Sequence, residues 1–374
     1  MNAFWSPLIE RLSPYVPGEQ LAVDQLIKLN TNENPYPPSA HAVEAIRAAL
    51  GVDGEPLRLY PEPTSLTVRQ AAAKYWNLLP DQVFAGNGSD EVLAFVFQGL
   101  LSRGRLGFPD ISYSFYPSYC RLYGMEAEVF ALNDGFEIDL PAVPKDLDSV
   151  IFPNPNAPTG KALQREWIER FLSERPSTLV VVDEAYVDFG AQSCVPLIDR
   201  FANLVVTQSL SKSRALAGMR VGLAFAQAGL IEALVRVKDS FNSYPIDRLA
   251  AAAAVASIED RDWFESNRKA IIADRDWLTG ALQYLGFEVL PSQANFVFVH
   301  HPGHAAKGLA QALRERKILV RHFEKPRISE WLRITVGTRP QCEALVAALS
   351  GITGITGITD MTGMSGANQA APAR

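Results

Sequence analysis

Asn203-Leu204-Val205-Val206-Thr207-Gln208-Ser209-Leu210-Ser211-Lys212-Ser213-Arg214 passes from an apolar run into hydroxyls grouped around one lysine. Asn203 to Thr207 reads as a buried strand, which puts Lys212 just beyond a strand end. Arg220 follows eight residues after the lysine. A lysine becomes a nucleophile when burial or a neighbouring cation lowers its pKa and frees the amine to attack an aldehyde. Ser209, Ser211 and Arg220 supply what a phosphate needs: neutral donors and a fork-shaped cation. An amine for an aldehyde beside donors for a phosphate describes pyridoxal phosphate.

Two more stretches have the same form. Ser149 to Phe152 and Thr178 to Val182 are short and rich in Val, Ile and Leu, and helical patterns separate them. That alternation predicts a mostly parallel sheet covered by helices. Each stretch ends in polar residues: Asn154 and Asn156 after the first, Asp183 and Glu184 after the second. In open α/β sheets ligands bind beyond the carboxyl ends of the strands, so three strands deliver polar groups to one edge.

A chain of 374 residues is larger than one usual core, and it predicts a large domain plus a smaller one. The first 30 residues are Pro-rich and read as an arm lying over another surface. Residues 31–245 form the expected large cofactor-binding domain. After Tyr244-Pro245 an Ala-rich run (Leu249 to Ile258) and a long charged helical pattern (Trp263 to Leu285) open a smaller α/β domain, 246–350. Within it Asn295 to Val299, Ile318 to Arg321 and Trp331 to Val336 read as strands, and Ala306 to Lys317 as a helix. From Gly351 the chain repeats Gly-Ile-Thr three times, and its composition predicts a disordered tail, 351–374.

The net charge of −6 argues against broad nucleic-acid binding, which needs a basic face. Cys120, Cys194 and Cys342 are odd in number and widely spaced, as unpaired thiols of a reducing cytosol would be. No secretion signal and no membrane-spanning run is read from the sequence. His300, His301 and His304 follow a strand beside Pro302-Gly303 and read as a surface turn, so no metal site is expected.

Other residues fit the same ligand. Asp183, in Val181-Val182-Asp183-Glu184-Ala185-Tyr186, can keep a pyridine nitrogen protonated and so make the ring an electron sink. A helix cap or a salt bridge is the plainer use of such a carboxylate. Glu184 should point the other way. Asn156, in Asn154-Pro155-Asn156-Ala157-Pro158-Thr159-Gly160, can donate to the ring's phenolic oxygen, and so can Tyr186; turn chemistry covers Asn154. Gly88-Ser89-Asp90 precedes an apolar helical run, where backbone N–H groups and the dipole end favour phosphate. Tyr113 has the shape to stack on a flat ring, though core packing is the usual fate of such a residue.

The ordered set Asn32-Glu33-Asn34-Pro35, Tyr60-Pro61-Glu62-Pro63, Gly88-Ser89-Asp90-Glu91, Asn156-Ala157-Pro158-Thr159-Gly160, Asp183-Glu184-Ala185-Tyr186, Ser209-Leu210-Ser211-Lys212 and Leu332-Arg333-Ile334-Thr335 resembles the fold-type I, class-II pyridoxal-phosphate-dependent aminotransferases. More narrowly, it resembles the histidinol-phosphate aminotransferase family. The likeness runs from about Tyr15 to about Leu349, nearly everything but the tail.

The resemblance implies that Lys212 binds the cofactor covalently. It implies that Tyr60 reaches the cofactor phosphate of a neighbouring subunit, which makes the active unit a homodimer. Arg333 would take the substrate's acidic group with Arg321 assisting, and Tyr15 and Asn32 would line the substrate side. The implied reaction is a cytoplasmic ping-pong transamination in histidine synthesis. It takes imidazole-acetol phosphate and L-glutamate to L-histidinol phosphate and 2-oxoglutarate. An aromatic-amino-acid aminotransferase and a threonine-phosphate decarboxylase are the nearest rivals. A cofactor-binding regulator without catalysis is the rival of another class.

Overall fold

The Val-rich runs become neighbouring strands whose ends carry the polar residues singled out above. The computed structural model describes residues 4–13, 18–21 and 23–355. In chain order the elements begin with α1 (Pro7–Arg11), β1 (Ile27–Lys28), α2 (Ala40–Leu50), α3 (Leu66–Trp76) and β2 (Val83–Asn87). Next come α4 (Gly88–Gly99), β3 (Leu106–Pro109), α5 (Tyr116–Tyr123), β4 (Ala127–Phe130), β5 (Ser149–Pro153), α6 (Arg165–Glu174), β6 (Leu179–Asp183) and β7 (Leu204–Ser209). β8 (Val221–Ala226), α7 (Ala228–Phe241), α8 (Arg248–Glu259), α9 (Arg261–Tyr284), β9 (Glu288–Val289), β10 (Phe296–His300) and α10 (Ala306–Glu315) follow. The last four are β11 (Ile318–Leu319), β12 (Arg321–His322), β13 (Trp331–Thr335) and α11 (Arg339–Thr353).

The chain divides into two compact units. The first holds Glu33–Arg268 and Ser292–Ala294 together with the N-terminal residues. Among its described residues, seven strands form one sheet in the order β2-β8-β7-β6-β5-β3-β4. β5, β6 and β7 are parallel neighbours with every β5 and β6 residue buried, as strands covered on both faces must be. β8 runs antiparallel between β7 and β2. The core on one face gathers Leu93, Phe97, Tyr116, Val181, Val205 and Ala224. α8 packs on α2 and α3 in this same unit.

The second unit holds Gly18–Asn32, Lys269–Pro291 and the described residues from Asn295 on. Its antiparallel sheet has the order β12-β13-β10-β9, and β1 pairs in parallel with β11. The run Ile318 to Arg321, read above as one strand, serves two sheets because pairing breaks at Val320. α11 continues through the first Gly-Ile-Thr to Thr353, where Gly354 at φ +76° caps it. Order therefore extends past Gly351, where composition predicted it to stop. The remainder of that predicted tail, from Thr356, lies outside the described residues.

Candidate active site

Two glycines bring the start of α4, the end of β7 and Arg220 together. β2 enters α4 directly, and Gly88 makes the turn at φ +78°, a conformation that needs no Cβ. A Cβ on Gly88 would lie 2.4 Å from Arg220 Nη2. Across the sheet, Gly222 of β8 sits opposite Gly86 and Ser209. A Cβ on Gly222 would lie 2.4 Å from the carbonyl carbon of Gly88 and from the Ser89 nitrogen. The start of α4, the end of β7 and Arg220 are thereby brought together. Arg220, at φ +53°, pairs with Asp90 Oδ2 at 3.0 Å and donates to the Ala217 carbonyl at 3.3 Å. Tyr113 donates its hydroxyl to Asp90 Oδ1 at 2.8 Å. Ser209 and Ser211 are buried, and Ser209 Oγ accepts the Ser211 N–H at 3.2 Å while keeping its own proton to donate.

At the end of β6, Asp183 is buried with two hydroxyls on its carboxylate. Tyr116 donates to Oδ2 at 2.9 Å and Thr207 to Oδ1 at 3.2 Å. Burial pushes the Asp183 carboxyl up to about 6, against the pull of these donors and of the Ala185 N–H. Glu184 faces the other way, as strand alternation requires. It accepts from Ser193 Oγ at 2.6 Å, the Cys194 N–H at 2.5 Å and Gln208 Nε2 at 2.9 Å. Burial pushes it up to about 7, and its bonds hold the 193–194 turn.

Lys212 Nζ stands 5.9 Å from the ring centre of Tyr186. The backbone of the lysine is pinned by Asn34, whose Nδ2 donates to the Lys212 carbonyl at 2.9 Å and to Asn267 Oδ1 at 2.9 Å. Asn156 donates Nδ2 to the Ile111 carbonyl at 2.9 Å and to Thr159 Oγ1 at 3.1 Å. Both Nδ2 hydrogens are thereby engaged, so the donation to a ring oxygen expected from the sequence is not available, and the buried Oδ1, with no hydrogen-bond partner among the described residues, is the polar atom left over. Asn154 closes its own turn, accepting the Leu163 N–H at 2.8 Å.

Tyr60 is 79% exposed, stacked on Tyr244 at 4.7 Å between ring centres. Its loop is fixed by Glu62, which accepts from the N–H groups of Thr64 and Leu66 at 3.0 and 2.7 Å. In the second unit, Arg321 of β12 lies directly opposite Arg333 of β13. Arg333 sits 5.4 Å from the Phe296 ring and 5.6 Å from that of Phe323, and Arg321 is 5.6 Å from Phe323. Arg333 Nη2 donates to the Asn30 carbonyl at 2.9 Å. Asn32, at φ +55°, exchanges hydrogen bonds with Thr335, its N–H donating at 3.0 Å and its Oδ1 accepting at 3.1 Å. Tyr15 lies outside the described residues.

Asn34, Tyr116 and Thr207 take part in this site without having been singled out. Asn34 stood in a quoted motif, and Tyr116 stood three residues after Tyr113.

The family model described as "Aminotransferase class I and II" matches residues 24–349. Histidinol-phosphate aminotransferase 1 of Burkholderia pseudomallei is 57% identical over 350 residues, which is 93% of this chain and 98% of that protein. The protein of the same name from Methylococcus capsulatus is 56% identical over 351 residues, 94% of this chain and 98% of its own. The crystal structure of the Sinorhizobium meliloti histidinol-phosphate aminotransferase in complex with pyridoxal-5'-phosphate has a TM-score of 0.84 at 24% identity, with 94% of this chain and 98% of that chain covered. It shares the fold-type I architecture. With Lys212, Asp183 and Arg220 in one unit, these likenesses make the chain a member of the pyridoxal-phosphate-dependent class I and II aminotransferases and, within them, of the histidinol-phosphate aminotransferase family.

Proposed function

We propose that the protein transfers the amino group of L-glutamate to imidazole-acetol phosphate, giving L-histidinol phosphate and 2-oxoglutarate in histidine synthesis. The observation that carries the substrate is the register of Arg321 against Arg333. Two arginine forks on paired strands, both beside Phe323, suit an anion held by both. A phosphate in one half-reaction and a carboxylate in the other meet that requirement.

Pyridoxal phosphate fits the donor set of the first unit. Arg220, Ser209, Ser211 and the N–H groups at the start of α4 suit its phosphate. The buried Asp183 suits a positive ring nitrogen, and the open Asn156 Oδ1 suits a hydroxyl on the ring. When bound, the cofactor supplies an aldehyde for an amine and an electron sink for the carbanion left by α-proton loss. Lys212 Nζ is the group that takes up and returns that proton. Asn34 fixes the backbone from which the lysine reaches, and Arg333 orients the substrate through its acidic end. The reading places the enzyme in the cytosol, supported by three buried cysteines with no disulfide.

A steady-state assay with glutamate and a panel of 2-oxo acceptors tests the reading. Imidazole-acetol phosphate should show the highest kcat/KM. Preference for aromatic 2-oxo acids, or release of carbon dioxide with no 2-oxo acid consumed, would refute it.

Arg321 should favour the phosphate, which carries more charge and more oxygens than a carboxylate. Arg321→Ala should raise the apparent constant for histidinol phosphate roughly tenfold or more, since a hydrogen bond to a charged group contributes about 1.5–3 kcal/mol. The effect on glutamate should be smaller. Single-turnover absorbance reads each half-reaction separately, and equal losses would reduce Arg321 to a general anion residue.

The reading also includes a homodimer in which Tyr60 serves the partner's site, supported by its exposure on a loop tied down by Glu62. Mixing inactive Tyr60→Ala and Lys212→Ala proteins should restore activity, because one site per mixed dimer keeps both residues. A fully active monomer in sedimentation would remove the idea.

A further inference from the structure

Tyr113, Tyr116 and Tyr119 are spaced three apart, and each hydroxyl ends on an acid residue of the site. Tyr113 donates to Asp90 Oδ1 at 2.8 Å, Tyr119 to the Asp90 carbonyl at 2.8 Å, and Tyr116 to Asp183 Oδ2 at 2.9 Å. Tyr116 is the most enclosed, with no exposed surface. Its ring packs against Phe97, Phe108 and Tyr113 at 5.7, 5.9 and 5.7 Å between centres. A phenylalanine would fill that space as well, and a buried hydroxyl is costly without a partner. The hydroxyl is thus explained by Asp183 and not by packing. We propose that Tyr116 is a positioning residue, whose hydroxyl, together with that of Thr207, fixes the Asp183 carboxylate in the orientation and ionised form that the cofactor's ring nitrogen requires. This rests on the cofactor reading given above.

Each oxygen of Asp183 has its own hydroxyl donor, so the carboxylate plane is fixed by groups from two elements, α5 and β7. Burial is the largest influence and opposes the charge, as does the Asp90 carboxylate, while the Ala185 N–H favours it. Tyr113 and Tyr119 face the same region from the α5 side, and burial holds both phenols protonated. Burial and the nearby Asp183 charge also push the Tyr116 phenol up, so it stays a donor. Removing its oxygen leaves Thr207 and one N–H to oppose the desolvation of a buried charge.

The test uses Tyr116→Phe, which keeps the ring. In the cofactor-free protein the carboxyl infrared band of Asp183, assigned by its loss in Asp183→Asn, is titrated against pH. Its apparent pKa should rise by about one to two units relative to wild type. In the cofactor-loaded enzyme the acid limb of kcat/KM should move up with it, and kcat should fall about tenfold with little change in the KM for glutamate. Incorporating 3-fluorotyrosine at position 116 makes a stronger donor of the same shape and should move the band the other way. An unmoved band in both variants overturns the proposal, and so does a moved band with an unmoved acid limb. A protein that takes up no pyridoxal phosphate would instead refute the cofactor reading, while the infrared titration still measures the Tyr116–Asp183 link.

Discussion

Lys212→Ala is expected to cut turnover by roughly a thousandfold or more while the protein stays folded. The side chain is the proposed nucleophile and proton carrier, and no other amine is positioned by the same loop. The carbonyl of residue 212 accepts from Asn34 at 2.9 Å, a bond that survives truncation at Cβ. The proposed phosphate donors Arg220, Ser209 and Ser211 are untouched by the substitution, so the variant should still take up some cofactor. The visible-edge absorbance of the resting enzyme should vanish, and circular dichroism and melting temperature should stay near wild type. Near-normal turnover in this variant would end the assignment.

Asp183→Asn should lower kcat roughly a hundredfold, because a positive ring nitrogen loses its counter-charge and the electron sink weakens. Its effect on stability should be small or of opposite sign. The Asp183 carboxyl is pushed up to about 6 from its ordinary 3.8, so the folded cofactor-free protein binds a proton more tightly than the unfolded chain does. Stability from this group is therefore fully present below the unfolded value and is lost as pH rises through about 6. At neutral pH the buried carboxylate costs the cofactor-free protein about 3 kcal/mol at most, and the neutral amide avoids that cost. Denaturant midpoints of the two cofactor-free proteins should diverge between about pH 4 and 6, with the Asn variant equal or ahead above that range. A cofactor analogue with a permanently positive ring nitrogen should partly restore activity. Full activity without it would contradict the proposed role.

The sequence made β5, β6 and β7 legible because unbroken Val and Ile runs end abruptly in polar residues, and those ends are where Asp183 and Lys212 stand. β8 was not legible. Val221-Gly222-Leu223-Ala224-Phe225-Ala226 alternates small and large residues straight after Arg220, and its antiparallel direction leaves no local trace. Gly88-Ser89-Asp90, read as preceding a helical run, proved to be its first turn, since β2 ends at Asn87 and α4 starts at Gly88 without a linker. Asn32 shows how a motif residue can be seen and its bonds still missed: its partner Thr335 is 303 residues away. Tyr116 escaped for the same reason. The direction of a hydroxyl depends on which strand end lies against α5, and sequence spacing carries no such information.

The bare Cα of Gly222 against the first residues of α4 has a consequence for enzyme redesign. Any side chain at Gly222 must displace backbone, because the atoms in its way are the Gly88 carbonyl carbon and the Ser89 nitrogen, both at 2.4 Å. Backbone cannot swing aside as a rotamer can, and the displaced segment carries the start of α4, the proposed phosphate contact. Neutral drift through Gly222 is closed off, and a mutant library randomised there would consist almost wholly of inactive clones. On the proposed reading, new specificities are more accessible from the strand pair bearing Arg321 and Arg333, whose side chains, unlike main chain, can be exchanged.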